Sequence, residues 1–292
     1  MTPHVEALRS LVAAGADGRR SLASVPGCWD GLTALLIEHV GFGAAFLTGG
    51  GLSIARLGRP DMGLVTATEL VEAVAVIRDR ISIPLIVDGD TGFGNALNMA
   101  RTVRLVERAG ASAIQIEDQG FPKRCGHMAG KTVVPIAEAV GKVKAALDSR
   151  TAMLVIARTD AVAVEGLDAA MDRAEAYLEA GADMIFIEGP RTLADTQAVA
   201  NRFARRVPLV HNLVEGGVSA TDSGAELEAI GFAVALHPLL LMHGFVAQAP
   251  DWLEHLRNHR STAGLSDRIA TLADMNRIIG AAASIEESSR YA

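Results

Sequence analysis

Eight short apolar runs punctuate this chain: Leu22–Val25, Ala44–Leu47, Pro84–Val87, Ala113–Ile116, Met153–Ala157, Met184–Ile187, Pro208–His211 and Phe232–Leu236. They recur at intervals of roughly 20–40 residues, the size of one strand–helix unit. None alternates polar with apolar. A strand that is apolar on both faces must be covered on both, as in a parallel sheet layered with helices. Amphipathic stretches between the runs supply that cover: Leu70–Arg80, Ala96–Ala109, Ala137–Leu147 and Leu167–Ala180. Gly110 and Gly181 follow two of them, where a left-handed residue closes a helix. Eight such units predict an α/β fold of the (β/α)8 TIM barrel type. An open doubly wound sheet is the alternative, and it calls for a Gly-x-Gly-x-x-Gly phosphate turn. The Gly-rich stretch Asp88–Asn95 (DGDTGFGN) has another spacing, and its two aspartates would repel a pyrophosphate. No linker or low-complexity tract interrupts residues 1–292, which read as one domain with a helical arm from about 240 to 292.

Composition narrows the partners. Acidic residues outnumber basic ones 34 to 27 and aromatics are 4%. Neutralising a phosphate backbone needs a basic face, and stacking bases needs aromatic platforms, so nucleic acid is excluded as a partner. The apolar runs stop well short of the ~20 residues of a membrane span, and Met1–Val12 lacks the pattern of a secretory signal. With only Cys28 and Cys125 there is no disulfide framework. Together these features point to a cytoplasmic protein with a small-molecule substrate.

In a barrel, chemistry collects where strands end and loops begin. The second run is followed by Thr48-Gly49-Gly50-Gly51, the third by Asp88 and Asp90, and the fourth by Glu117 and Asp118. Arg158 and Asp160 follow the fifth run, Glu188 the sixth, and Asn212 and Glu215 the seventh. Any one of these residues is explained as a helix cap; the set is not. Carboxylates crowded at one mouth repel unless a cation neutralises them. Hard oxygen ligands without paired cysteines or histidines select Mg2+ or Mn2+ over zinc. Because Mg2+ takes few direct carboxylates, Asp90 is the expected direct ligand, with Asp88, Glu117 and Glu188 acting through waters. Such an ion chelates a 2-hydroxy or 2-oxo acid.

The fourth run leads into Pro122-Lys123-Arg124-Cys125-Gly126-His127. Cationic neighbours should favour the Cys125 thiolate, which would serve as nucleophile, as general acid or base, or not at all. Gly130 and Lys131 suit a lid closing over an acidic substrate. Cys28, after a Pro-Gly turn, reads as a packed core thiol.

The combination of DGDTGFGN, IEDQ (Ile116–Gln119), PKRCGH (Pro122–His127), ARTDA (Ala157–Ala161) and NLVEGG (Asn212–Gly217) resembles the isocitrate lyase/phosphoenolpyruvate mutase superfamily. The likeness runs from about Val25 to Pro238 and is strongest to 2-methylisocitrate lyase- and dimethylmalate lyase-like members. It implies a barrel whose last helix is exchanged between subunits, assembled as a homotetramer (a dimer of dimers), with Mg2+ and an α-oxyacid substrate. Within the superfamily the cysteine-bearing loop marks carbon–carbon lyases. On that resemblance Cys125, Asp61, Lys123, His127 and Arg158 are catalytic. Thr48, Gly49, Gly50, Arg124, Gly126, Glu188, Asn212 and Glu215 bind substrate, and Asp90, Asp88 and Glu117 hold the metal. The implied reaction is retro-Claisen or retro-aldol cleavage of a 2-hydroxy di- or tricarboxylate to pyruvate or glyoxylate plus a carboxylic acid, Cys125 protonating the leaving fragment. The rival readings are an oxaloacetate decarboxylase or hydrolase, a phosphonate mutase, and a sensor without turnover. Phe46-Leu47-Thr48 stands where 2-methylisocitrate lyase-like members often carry Tyr-Leu-Ser.

Overall fold

The computed structural model describes residues 2–126, 128, 130–217 and 219–292. Its eight parallel strands close into a barrel in chain order. They are β1 (Ala23–Cys28), β2 (Ala45–Leu47), β3 (Leu85–Asp88), β4 (Ala113–Glu117), β5 (Leu154–Thr159), β6 (Met184–Ile187), β7 (Leu209–Asn212) and β8 (Val234–His237). Closure comes where β8 pairs with β1, from Ala23 opposite Val234 to Pro26 opposite His237. Each strand overlaps a predicted apolar run, but several continue past it into Asp88, Glu117, Arg158-Thr159, Asn212 and His237. A parallel ladder is made of backbone bonds and does not stop where side chains turn polar.

Around the barrel run α2 (Gly31–Val40), α3 (Gly49–Leu57), α4 (Ala67–Arg80), α5 (Ala96–Ala109), α6 (Ile136–Ser149), α7 (Leu167–Glu179), α8 (Leu193–Phe203) and α9 (Gly224–Ile230). Their starts are written in side chains: Asp30, Thr66, Asn95 and Thr192 each form a reciprocal capping box. After β8 come α10 (Leu240–His259), α11 (Leu272–Ile279) and α12 (Ala281–Ser289), and α11 and α12 bury no residue at all. No helix among the described residues is long and apolar enough to cross a membrane.

Strand alternation divides the core in two. Val87, Ile114, Val155, Ile185 and Leu209 face outward and pack on helix residues such as Val74, Ile77, Val103 and Val143. Phe46, Ile86, Ala113, Ile156, Phe186, Val210 and Leu236 face inward and fill the barrel. The helix α1 (Pro3–Leu11), which apolar runs did not announce, closes the lower end by adding Leu8 and Val12 to that inner cluster. It is fastened there by Arg9 Nη2 donating to the Ala152 carbonyl (3.1 Å) and by His4 against Ser112 Oγ (2.9 Å). The same alternation carries the inward face upward from Ile86 to Asp88, from Ile156 to Arg158, from Phe186 to Glu188 and from Val210 to Asn212.

Where β1 and β8 meet at the upper rim, a Cβ on Gly27 would overlap the backbone carbonyl of Pro238. Backbone cannot move aside as a side chain can. Gly27→Ala should therefore cost about 3 kcal/mol and lower Tm by roughly 10 °C. A melting curve unchanged within a degree would show that the rim tolerates the methyl.

Candidate active site

The first wall of the barrel mouth is built by the turn from β3 to α5. Asp90 (φ 47°) and Phe93 (φ 62°) both adopt left-handed backbone, a costly conformation for residues with a Cβ. The turn brings buried Asp90 back over the strand end beside Asp88. Asp88 Oδ1 accepts hydrogen bonds from Gln115 Nε2 (3.2 Å) and the Asp90 N–H (3.3 Å), and Oδ2 accepts from the Gly49 N–H (3.3 Å). A Cβ on Gly49 would lie 3.1 Å from Asp88 and 3.2 Å from Asp90, so glycine lets the start of α3 approach both acids. The Thr48 N–H is bound by the Cys28 carbonyl, and Thr48 Oγ1 accepts from the Gly51 N–H. The carboxylate cradle expected from three consecutive N–H groups at Thr48, Gly49 and Gly50 is thus reduced, because two of them already have acceptors within the protein.

Lys123 sits among these acids, its Nζ 2.5 Å from Asp61 Oδ1 and 2.6 Å from Asp90 Oδ1. Burial disfavours its charge, yet Asp90, Asp61, Glu117 and Asp88 together hold the ammonium well above its ordinary pKa. For Asp90, burial pushes the carboxyl up to about 7, with Asp88 and Asp61 adding repulsion and Lys123 opposing. The lysine that flanks Cys125 in sequence is therefore turned into the carboxylate cluster.

Arg158, at the end of β5, forms the second wall. It grips Asp160 with two bonds (Nε to Oδ2, 2.8 Å; Nη2 to Oδ1, 3.0 Å) and reaches Glu188 (3.3 Å) and Glu117 (3.4 Å). Its guanidinium also lies 5.0 Å above the centroid of the Phe186 ring. Asn212 Nδ2 donates to Glu188 Oε2 at 2.8 Å. One cavity of about 50 Å³ is lined by Thr48, Gly50, Asp61, Asp88, Glu117, Lys123, Arg124, Cys125, Gly126, Arg158 and Asn212, with Phe46, Val214, Pro238 and Leu239 on the same surface. Most of the expected residues are thus brought together. Glu215 is not: it lies 3.2 Å from His243 and lines a separate cavity beyond β7. The turn after Leu213 carries it away from the mouth. His127 lies outside the described residues.

Gln115 escaped the sequence reading because it lies inside an apolar run, and the roles of Gln119 and Asp118 depend on contacts that residue type does not reveal. Gln115 sits mid-strand in β4, and Gln119 folds back to bind both the N–H and the carbonyl of Arg124 (3.0 and 2.8 Å). Asp118 faces away from the mouth, into the layer behind β5. There it accepts from Thr159 Oγ1 (2.7 Å), the Asp160 N–H (2.9 Å), Tyr177 Oη (2.8 Å) and Arg173 Nη1 (3.3 Å). It steadies the strand end from outside.

The donor set fits a hard divalent cation. Glu117 Oε1 is buried without a hydrogen-bond partner, and Asp90 Oδ1 has only the Lys123 ammonium, 2.6 Å away. Among the described residues no three His, Cys, Asp or Glu side chains converge as direct ligands. Mg2+ usually takes one or two carboxylates and several waters, which these oxygens would suit.

Three comparisons place the chain among known proteins. The model of the phosphoenolpyruvate phosphomutase family matches residues 13–255. A 2,3-dimethylmalate lyase of Eubacterium barkeri is 40% identical over 277 residues, 94% of each chain. A 2-methylisocitrate lyase of Bacillus subtilis is 40% identical over 247 residues, 84% of this chain and 81% of the relative. The crystal structure of a 2,3-dimethylmalate lyase superposes with a TM-score of 0.92 at 31% identity, covering 100% of this chain and 96% of that one. A phosphonopyruvate hydrolase in complex with oxalate and Mg2+ superposes with a TM-score of 0.86 at 30% identity, covering 100% and 99%.

If the acids at the mouth bind Mg2+, saturating ion should raise Tm by roughly 5–10 °C, since a ligand at about 100 times its Kd adds ~2.7 kcal/mol. Asp90→Asn should abolish most of that shift. A scanning calorimetry shift of equal size in both proteins would place the ion elsewhere.

Proposed function

The chain belongs to the phosphoenolpyruvate mutase/isocitrate lyase superfamily and is a carbon–carbon lyase; within that class we propose that it cleaves an alkyl-bearing 2-hydroxy dicarboxylate of the 2-alkylmalate type to pyruvate and a carboxylic acid. The observation that carries this reading is the two-faced cavity. Lys123, Arg124 and Arg158 line it with cationic groups, and Phe46, Val214, Pro238 and Leu239 line it with apolar side chains. Alkyl substituents are accommodated by such a surface. A third carboxylate placed there would lose its water without gaining a donor from those side chains. The extensive identity with a 2,3-dimethylmalate lyase supports the same choice.

The residues divide the work. Asp90 would hold Mg2+ directly, with Asp88 and Glu117 acting through waters. When bound there, the ion supplies positive charge to the hydroxyl and carboxylate oxygens of an α-hydroxy acid. Arg158, fixed by its three carboxylates, orients the α-carboxylate from the opposite side, aided by the N-terminus of α3 at Gly50. The hydroxyl proton passes to a carboxylate at the mouth, directly or through water, and the C2–C3 bond breaks. Its electron pair moves onto C3 and its carboxylate as an enediolate, while the C2 fragment leaves as pyruvate. Arg124, beside the thiol, attracts that second carboxylate, and Cys125 gives its Sγ proton to C3 to complete the acid. Pyruvate release should be at least tenfold faster per unit concentration on 2,3-dimethylmalate or 2-methylmalate than on 2-methylisocitrate, as one poorly accommodated group is worth about 1–3 kcal/mol. Cys125→Ser should lose about 10²–10⁴ in kcat. Equal or better turnover of 2-methylisocitrate would overturn the dicarboxylate assignment, and turnover of oxaloacetate alone would move the chemistry to hydrolysis or decarboxylation.

Phe245, Val246 and Leu253 of α10, Leu272 of α11 and Ile285 of α12 are exposed apolar side chains on the carboxyl-terminal arm. The superfamily resemblance implies that a second copy covers them, within a homotetramer. Light scattering should give four times the 30.5 kDa chain mass; a monomeric mass would refute this assembly.

A further inference from the structure

The loop from Gly120 to Lys131 carries Cys125 over the mouth, and three sets of contacts hold it at different heights. At its base the Gly120 N–H donates to the Thr132 carbonyl (2.9 Å) and Gln119 bridges to Val133. In the middle, Gln119 clasps the Arg124 backbone, the Cys125 N–H donates to the Asp61 carbonyl (3.1 Å), and Lys123 enters the acid cluster. From the closing end of the loop, Lys131 reaches back beneath it to the Gly126 carbonyl. Its side chain is only 4% exposed, and its Nζ lies 3.0 Å from the fully buried Asp160 Oδ1.

That arrangement differs from a lysine waiting for substrate. Asp160 is the carboxylate that grips Arg158 with two bonds, so the lysine and the arginine share one anion. Burial alone would raise the Asp160 pKa, and Arg158 and Lys131 together bring it down to about 2, so the anion persists across the working pH range. Gly126 rests directly on the guanidinium, where a Cβ would collide with Arg158 and crowd Glu188. The loop tip cannot lift from Arg158 unless the Nζ of Lys131 leaves Asp160, the Gly126 carbonyl, or both.

We propose that Lys131 is the latch of this loop: paired to Asp160 and to the Gly126 carbonyl, it holds Cys125 closed over Arg158 and so positions the thiol without touching substrate. The proposal rests on the site being that of the lyase described above, but its test needs no substrate. Of the two cysteines, Cys28 is fully buried and its thiol is pushed far above the usual range by burial, so alkylation reports on Cys125. With iodoacetamide, at the pH plateau of each variant's reactivity, Lys131→Met should alkylate Cys125 about 10- to 100-fold faster than the parent, since a hydrogen bond to a charged group is worth about 1.5–3 kcal/mol. One label per chain and an unchanged Cys28 report an intact barrel. Lys131→Arg, which keeps the charge and the donors, should restore most of the protection. Should the methionine variant fail to fold, Lys131→Gln, shorter and uncharged but still an N–H donor, should react at an intermediate rate. Parent-like alkylation in Lys131→Met or Lys131→Gln, or an arginine variant as reactive as the methionine one, would overturn the latch. If the latch holds but no alkylated malate is cleaved, only the substrate assignment fails.

Discussion

A guanidinium removed from water must be surrounded by anions and acceptors or it will not stay buried, and Arg158 imposes that requirement on the whole upper half of this barrel. Its partners come from the ends of β4 and β6 and from the residue just beyond β5, so one charge ties neighbouring strands together where their backbone ladder runs out. Phe186, one inward position below Glu188, supplies a ring face for the same group. Asp118, itself held by the Tyr177 hydroxyl, then accepts the Asp160 N–H from behind. What reads as an active site is also a structural knot, and its members cannot be replaced one at a time without leaving a charge unmatched.

The barrel itself was legible because eight two-sided apolar runs admit few architectures, and the capping residues mark most helix starts. The mouth was legible only in part. The acids after the runs stood out by type, but strand alternation decides which of two neighbours faces inward: Glu117 lines the cavity and Asp118, its immediate successor, supports β5 from outside. Gln115 was invisible because one amide within an apolar run carries no signal of direction. Lys123 looked like a neighbour of the thiol because it is close in sequence. Its partners Asp61 and Asp90 come from loops that only the closed barrel brings together. Glu215 shows the converse case, a residue in a suggestive motif that the turn places 3.2 Å from His243.

The loop beyond β4 combines opposite demands. Lys123 neutralises the acid cluster, Cys125 covers the cavity, and Lys131 returns to the arginine's own counter-ion. Two cations of this segment, Lys123 and Lys131, are set against carboxylates at the barrel mouth, so the loop's position and the charge balance of the mouth are linked. The electrostatics of the mouth and the position of the thiol are therefore one variable.

The lower end of the barrel has a different bearing on turnover. Leu8 and Val12 pack there in the same apolar cluster as Phe46 and Phe186, so among the described residues the floor of the barrel is filled with apolar side chains. For a cleavage that yields two fragments from one substrate, a single exit imposes traffic order. On the proposed cleavage, the fragment seated against Asp90 and Arg158 would lie beneath the one facing the loop and would leave after it. A vessel with one neck would then release its products in sequence, and the deeper product would compete with the next substrate for the same floor.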